Sequence, residues 1–354
     1  MEKARPRLLF LYTELAGYFI SCLQTLEEKY KADILLVYWP VNKEAPFRFQ
    51  FPGTIRTARR DEFSSAAALL KAAEDFNPDL IYCSGWIDKE YVSVCRKFRS
   101  GIPVVVGFDN WWRGTIKQHL AVAGSFVVRR AFSHAWVPGK QQFTYAEKLG
   151  FKKENIRSGV YSADVPLFSR EFEKNRLQKK QQFPHRFIYS GRYYDFKGIH
   201  EMWSAFVKWK ERSGGDWELW CLGTGDVSPI QHPAIRHFGF VQPSELPSIL
   251  KDAGVFILPS RFEPWGVVVH EFAAAGFPLL LSEEAGAASA FLREGENGFS
   301  FPAGDETAIV NAFDRIAQMT ETQLNEMGEK SHAIAQSITP ETWADTLHSL
   351  IGRQ

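Results

Sequence analysis

The chain has 354 residues, of which 45% are hydrophobic and 14% aromatic, and its 42 lysines and arginines nearly balance 41 aspartates and glutamates. This length exceeds what one hydrophobic core usually fills, so two domains are expected, and the composition excludes a disordered chain. Four dispersed cysteines (Cys22, Cys83, Cys95 and Cys221), without a Cys-x-x-Cys pair or a Cys/His cluster, exclude a disulfide framework and a cysteine-built metal site, so a reducing, cytoplasmic setting is expected.

In the first half, strand-length apolar runs predict strands at Arg7–Tyr12, Ala32–Tyr38, Leu80–Cys83, Pro103–Phe108 and Ala135–Val137. The run Leu8–Tyr12 is too short for a signal-peptide core and is read as the first buried strand. No stretch approaches the ~20 apolar residues of a membrane-spanning helix, so any membrane contact is expected to be peripheral. Phe63, Ala66, Leu69, Leu70 and Ala73 recur at helical spacing and predict a helix over Asp61–Asp75 with Asp61 as its cap. The second half restarts the pattern with strands at Arg186–Tyr189, Trp217–Leu222, Val255–Leu258 and Pro278–Leu281. Strands alternating with helices in both halves predict two α/β units with parallel sheets. The join is expected within residues 159–174, where the sequence turns into the charged run Arg170–Lys180. A last helix is expected over Pro340–Leu350, with Thr339 capping it and Pro340 at its first position.

The net charge of +1 conceals an asymmetry. Residues 1–165 hold 24 Lys and Arg against 17 Asp and Glu, which leaves 18 against 24 in the remainder, or +7 against −6. Two readings stand: ordinary surface variation, or an N-terminal half that meets an anionic partner such as a phosphorylated acceptor or a lipid surface.

In doubly wound folds, ligands bind beyond the carboxyl ends of the strands, so residues just after each strand are the informative ones. After Arg186–Tyr189 come Gly191, Arg192 and Lys197; a forked donor beside a point charge suits a diphosphate, although a solvated basic loop has the same residues. Gly223 and Gly225 follow the next strand, and His237-Phe-Gly-Phe-Val241 supplies a further glycine turn whose backbone suits a flat base. After Val255–Leu258 comes Pro259-Ser-Arg-Phe-Glu-Pro-Trp-Gly266, with a helix expected to open near Trp265 or Gly266 and its amides facing a phosphate site. Glu263 and Glu271 lie eight residues apart; if wholly helical, that span rises about 12 Å, enough for one carboxylate to reach a sugar and the other a ribose.

These residues together resemble glycosyltransferase family four: Gly191-Arg192, Lys197-Gly198, Gly223-x-Gly225, Gly239-x-Val241, Pro259-Ser260-x-x-Glu263-Pro-Trp-Gly266, Glu271, Ala273–Gly276 and Pro278, over most of residues 186–302. The resemblance implies the GT-B fold: two Rossmann-like domains facing across a cleft, expected at 1–165 (acceptor) and 166–335 (donor), with 336–354 as a helix packing back on the first. It implies retaining, metal-independent transfer of a hexose from a nucleoside-diphosphate sugar, without cofactor, to a glycan or lipid-linked glycan in surface polysaccharide or glycoprotein glycan assembly. The alternatives are a sugar-nucleotide epimerase or a donor-binding protein without catalysis. Arg192 and Lys197 would bind the diphosphate, Glu271 the ribose and Glu263 the transferred sugar. The amides at Trp265, Gly266 and Val267 would serve phosphate and sugar, and the backbone near Val241 the base, with Gly223 lining the site.

Two places in the N-terminal half depart from the family pattern. The glycine-rich loop after the first strand is reduced to Thr13-Glu-Leu-Ala-Gly17-Tyr, with Gly17 expected beside the diphosphate. The histidine often found after a middle strand has no counterpart in Val106-Gly-Phe-Asp-Asn-Trp-Trp-Arg113, where Asp109 is the candidate acceptor-side base or else a turn residue. Tyr18, Phe19, Trp86, Trp111 and Trp112 suit either sugar stacking or a core, and Arg96, Lys97, Arg99, Arg129 and Arg130 suit a face toward an anionic lipid-linked acceptor. Nucleic acid is not an expected partner.

Overall fold

The computed structural model describes residues 5–40, 46–213, 215–243 and 245–352. The chain divides into two compact units, Met1–Ser162 with Ile338–Gln354, and Ala163–Ser337. In the first unit, β1 (Arg7–Tyr12), β2 (Asp33–Tyr38), β3 (Ile55–Arg59), β4 (Leu80–Ser84), β5 (Val104–Gly107), β6 (His134–Val137) and β7 (Ile156–Ser158) form a seven-stranded parallel sheet in the order β3-β2-β1-β4-β5-β6-β7. Helices cover both faces of its central strands, which are therefore near-continuous apolar runs; Leu8 to Leu11 are all buried. Two core clusters, one on each face of the sheet, take alternate residues of β1: Leu9 and Leu11 to one side, Leu8 and Phe10 to the other.

The helix expected from Asp61 starts later. Residues Arg60–Glu62 form a single 3-10 turn, Phe63 is extended, and the helix Ala66–Phe76 is capped by the Ser65 hydroxyl accepting the Ala68 amide at 3.2 Å. Asp61 is instead paired with Arg59 at 3.0 Å, and the break at Phe63 separates it from any helix it might cap. The chain returns to this unit in the helix Pro340–His348, with the reciprocal Thr339/Thr342 cap and Pro340 at its start. Trp343 stacks on Phe10 and Trp136 and donates its indole N–H to the Val160 carbonyl at 2.8 Å, and Asp345 pairs with Lys29 and accepts from the Tyr30 hydroxyl. A terminal helix held through buried aromatics and a polar rim is an integral part of the unit's core.

In the second unit, β8 (Arg186–Ser190), β9 (Glu218–Leu222), β10 (Ile235–Gly239), β11 (Val255–Leu258), β12 (Leu279–Ser282) and β13 (Gly298–Phe301) form a six-stranded parallel sheet in the order β10-β9-β8-β11-β12-β13. The charged run expected at the join is part of the helix Val165–Gln181, which Asp164 caps by accepting the Leu167 amide. Both sheets are doubly wound Rossmann-like sheets, and in each the strand order reverses once, between β1 and β4 and between β8 and β11. A reversal opens a crevice at the carboxyl ends of the two strands, because their connections leave in opposite directions.

Candidate functional site

At the reversal in the second unit, β8 runs into Ser190-Gly-Arg-Tyr-Tyr-Asp-Phe-Lys-Gly198 and β11 into Pro259-Ser-Arg-Phe-Glu263. The two loops meet through charge. Lys197, on the 3-10 turn Asp195–Lys197, donates to Glu263 Oε2 at 2.5 Å, and the Ser260 hydroxyl donates to the same oxygen at 3.3 Å. Both charged side chains are mostly withdrawn from water, so each depends on the other for compensation. Ser260 is itself fixed from behind, its carbonyl accepting the Ser282 hydroxyl at the end of β12.

Glycines make this approach possible. A Cβ on Gly198 would lie 2.1 Å from the Pro259 carbonyl oxygen, and its φ of +68° is a left-handed conformation. A Cβ on Gly223 would lie 1.9 Å from the Gly191 carbonyl oxygen, so the chain ends of β8 and β9 touch backbone to backbone. The Gly223 amide donates to the Gly239 carbonyl at 2.7 Å, which brings in the end of β10, two residues before half-buried Val241. The Tyr189 hydroxyl donates to the Arg192 carbonyl at 2.8 Å, and the Arg192 guanidinium lies 5.9 Å from the Tyr194 ring centre.

Glu263 does not continue into a helix. Its amide donates to the Glu284 carbonyl and its carbonyl accepts from the Gly286 amide, so residue 263 pairs like a strand with Ala285, and only Val267–Ala274 is helical. Glu263 and Glu271 are therefore not two points on one helix; Glu263 stands before the helix and Glu271 more than one turn inside it. Gly266, at φ +88°, is the cap residue; no side chain caps the helix, which leaves its opening amides to an anion. The Trp265 side chain is buried against Phe291, so only its backbone belongs to the site, beside Gly266 and half-buried Val267. Burial raises the Glu271 carboxyl to about 7, with the Asp164 carboxylate adding to the shift. A carboxyl that ionises near neutrality is poised to accept a pair of hydroxyls while paying little to be unoccupied.

The neighbouring His270, which the sequence reading passed over, anchors this helix. Its Nδ1 accepts the Ala163 amide at 3.0 Å, its Nε2 donates to the Ala335 carbonyl at 2.9 Å, and the ring stacks on Phe291. Burial lowers its pKa to about 4, so it is a neutral imidazole with the proton on Nε2. His270→Ala strands two buried backbone groups and is expected to cost about 3 kcal/mol in denaturant unfolding. A loss below about 1 kcal/mol would contradict that anchoring role.

In the first unit the corresponding crevice is lined by the end of β1, where Thr13 bonds the Ser84 hydroxyl of β4 through both its amide (2.7 Å) and its hydroxyl (2.9 Å). Gly17 opens the helix Gly17–Tyr30, which has no side-chain cap. Asp109 is half-buried two residues past β5. It lies close to a set of phenols, Tyr12, Tyr18, Tyr82 and Tyr161, which burial chiefly holds protonated and which the Asp109 carboxylate raises further. Of the candidate stacking aromatics, Phe19 belongs to the core, Trp86 packs on Phe108, and Trp112 packs on Tyr145 under Lys148. Among the described residues no group of three or more His, Cys, Asp or Glu is arranged to hold a metal ion.

Comparison with known proteins bears on this arrangement. Residues 184–319 match the family "Glycosyl transferases group 1". The chain is 23% identical over 257 residues to a glycogen synthase of Mycobacterium tuberculosis, covering 67% of this chain and 59% of that protein, so it spans under two thirds of that relative's length. It is 29% identical over 151 residues to the lipopolysaccharide core biosynthesis glycosyltransferase LpsE of Rhizobium meliloti, covering 40% and 42% of the two chains. Its fold superposes on the HepE protein of Anabaena, solved in complex with UDP and glucose, with a TM-score of 0.73 at 15% identity over 99% of this chain and 100% of that one. The matched span carries the Lys197–Glu263 pair, the uncapped helix and Glu271, and over residues 184–319 the chain is similar to the group 1 glycosyl transferases, on a GT-B fold.

Proposed function

We propose that the protein transfers a hexose from a nucleoside-diphosphate sugar, with retention of anomeric configuration, to a hydroxyl of a glycan or lipid-linked glycan. The setting is surface polysaccharide or glycoprotein glycan assembly, at the cytoplasmic side. The observation that carries this reading is the Lys197–Glu263 pair beside the uncapped helix at Gly266. An arriving diphosphate takes Lys197, together with Arg192 and the helix amides, and so releases Glu263 to accept hydroxyls of the sugar. Gly17 serves the diphosphate, and Val241 the base. The bond from the anomeric carbon to the phosphate oxygen breaks as the acceptor oxygen bonds to the same face, and the acceptor proton passes to the departing phosphate. Asp109 orients the acceptor hydroxyl. These fixed cations and amides offset the leaving charge without a metal ion or other cofactor.

The test is incubation with a panel of nucleotide sugars and acceptors in the presence of a chelator, with the product's anomeric configuration read by NMR. Retention is expected. An inverted product, a requirement for metal, an epimer formed from donor alone, or binding without transfer to any acceptor would each overturn the corresponding part.

The pH dependence of donor binding follows from Glu271. Two ribose hydroxyls favour its ionised form, so the bound enzyme holds fewer protons than the free enzyme, and affinity rises as pH climbs toward about 7 and levels off above it. The donor's diphosphate stays ionised throughout that range. Calorimetric titration is expected to show this rise in the native protein and a flat profile in Glu271→Gln. A native profile already flat from pH 5 would rule Glu271 out of ribose binding.

A further inference from the structure

The stretch between Asp109 and Glu147 contains no acidic residue, yet it holds Arg113, Lys117, Arg129, Arg130 and Lys140. Within it, between β5 and β6, stand two short successive helices, Ile116–Ala123 and Ser125–Ala131. The first has no buried residue although five of its eight residues are apolar. Four large apolar side chains here face water: Ile116 is 80% exposed, Leu120 68%, Phe126 49% and Val127 44%. Ile116 and Leu120 stand one turn apart on one face, while Ala121, Val122 and Val128 turn inward to the core. Elsewhere among the described residues, exposed large apolar side chains occur only singly, at Ile87, Leu177 and Phe196.

Cations surround this apolar group. Lys117, Arg129 and Arg130 are exposed beside it, and the Arg130 guanidinium lies 5.3 Å from the Phe126 ring centre. The helix Lys89–Phe98, which packs against Ser125–Ala131, adds Arg96 and Lys97 in its last turn. A protein partner would have to bring its own acid to every one of these cations, whereas an acidic bilayer supplies anionic headgroups at any spacing and a hydrocarbon layer beneath them. Exposed apolar side chains beside cations, with no carboxylate on either of the two helices, form the pattern of a shallow interfacial anchor.

We propose that the helix pair Ile116–Ala123 and Ser125–Ala131 is a membrane-docking element that inserts Ile116, Leu120, Phe126 and Val127 into an acidic lipid surface while Lys117, Arg129 and Arg130 hold the headgroups. The inference deepens the transfer reading by placing its acceptor in a membrane, through the strand that leads to Asp109. It does not depend on sugar chemistry.

The experiment is flotation of the full chain with vesicles of phosphatidylcholine alone and of phosphatidylcholine mixed with phosphatidylglycerol. Strong, salt-sensitive binding to the acidic vesicles is expected, with little to the neutral ones. Ile116→Ser/Leu120→Ser/Phe126→Ser should weaken partitioning at least about tenfold. Each cation near an acidic surface is worth about fivefold, so Lys117→Ala/Arg129→Ala/Arg130→Ala should weaken it about a hundredfold. These side chains are exposed, so the thermal transition and donor affinity of both variants should match the native protein. Equal binding to both vesicle types, no binding at all, or unchanged binding by either variant would overturn the proposal. So would a native dimer that the serine variant converts to monomer, since the patch would then be a subunit interface. Donor affinity measured on the same preparations tests the transfer reading separately.

Discussion

Replacing Lys197 with alanine is expected to lower kcat/KM for donor about 10²- to 10³-fold and to destabilise the protein by about 2–3 kcal/mol at once. The two losses have different origins. In the free protein Lys197 compensates a Glu263 carboxylate that is 9% exposed and whose paired oxygen also accepts from the Ser260 hydroxyl. Removing the ammonium leaves that carboxylate uncompensated, which is a cost to folding. On the proposed transfer reading the same ammonium faces the departing diphosphate in the transition state, and its loss is a cost to rate. Lys197→Met/Glu263→Gln separates them: with both charges gone, stability is expected to recover to within about 1 kcal/mol of native while activity stays low. Chemical unfolding and steady-state kinetics on the three proteins make the comparison. A single variant that is unstable but fully active would leave the pair a purely structural one.

Gly198→Ala should cost about 4 kcal/mol and abolish donor binding where the variant still folds. The added Cβ would sit 2.1 Å from the Pro259 carbonyl oxygen, so the turn must move away from β11 by more than an ångström, and Lys197 moves with it. Gly239→Ala is the control, because its φ of +70° is equally left-handed but no atom lies within 4 Å of the new Cβ. That variant should lose only about 1 kcal/mol, the conformational cost alone. Equal losses in urea unfolding would mean that backbone conformation, and not the close approach of the two loops, sets the requirement for glycine.

The interior strands were legible in the sequence because both of their faces are buried. Leu8–Tyr12, Val255–Leu258 and Leu279–Leu281 are unbroken apolar runs. The strands that escaped the reading are β3, β7, β10 and β13, and these are the four edges of the two sheets. An edge strand has one neighbour and more solvent; β3 reads Ile-Arg-Thr-Ala-Arg with only Ile55 buried, and β7 is three residues long. Neither leaves an apolar run to find. The apolar spacing extends back to Phe63 and so predicts a helix from Asp61, while the cap that decides the start is the Ser65 hydroxyl.

Of the site, the residue types and their places after strands were readable, and their relations were not. Nothing local to Lys197 or Glu263 announces that they touch, since the contact spans 66 residues and depends on the strand order that sets β8 beside β11. The helix start near Gly266, after Glu263, was readable, but the strand-like pairing of Glu263 with Ala285 was not, because it joins residues brought together only by the fold. His270 gave no signal beyond being a lone histidine in an apolar run; its role comes from Ala163 and Ala335, each far away in the chain.

The central claim is that the crevice between β8 and β11 binds a nucleoside-diphosphate sugar through Lys197 and the helix opening at Gly266. Its most direct measurement is the thermal shift of the native chain and of Lys197→Met/Glu263→Gln against a panel of nucleotide sugars in chelator. A ligand at 100 times its dissociation constant stabilises by about 2.7 kcal/mol, so one donor class should raise the native transition by several degrees and leave the double variant unmoved. No shift with any nucleotide sugar, or the same shift in both proteins, would contradict the account.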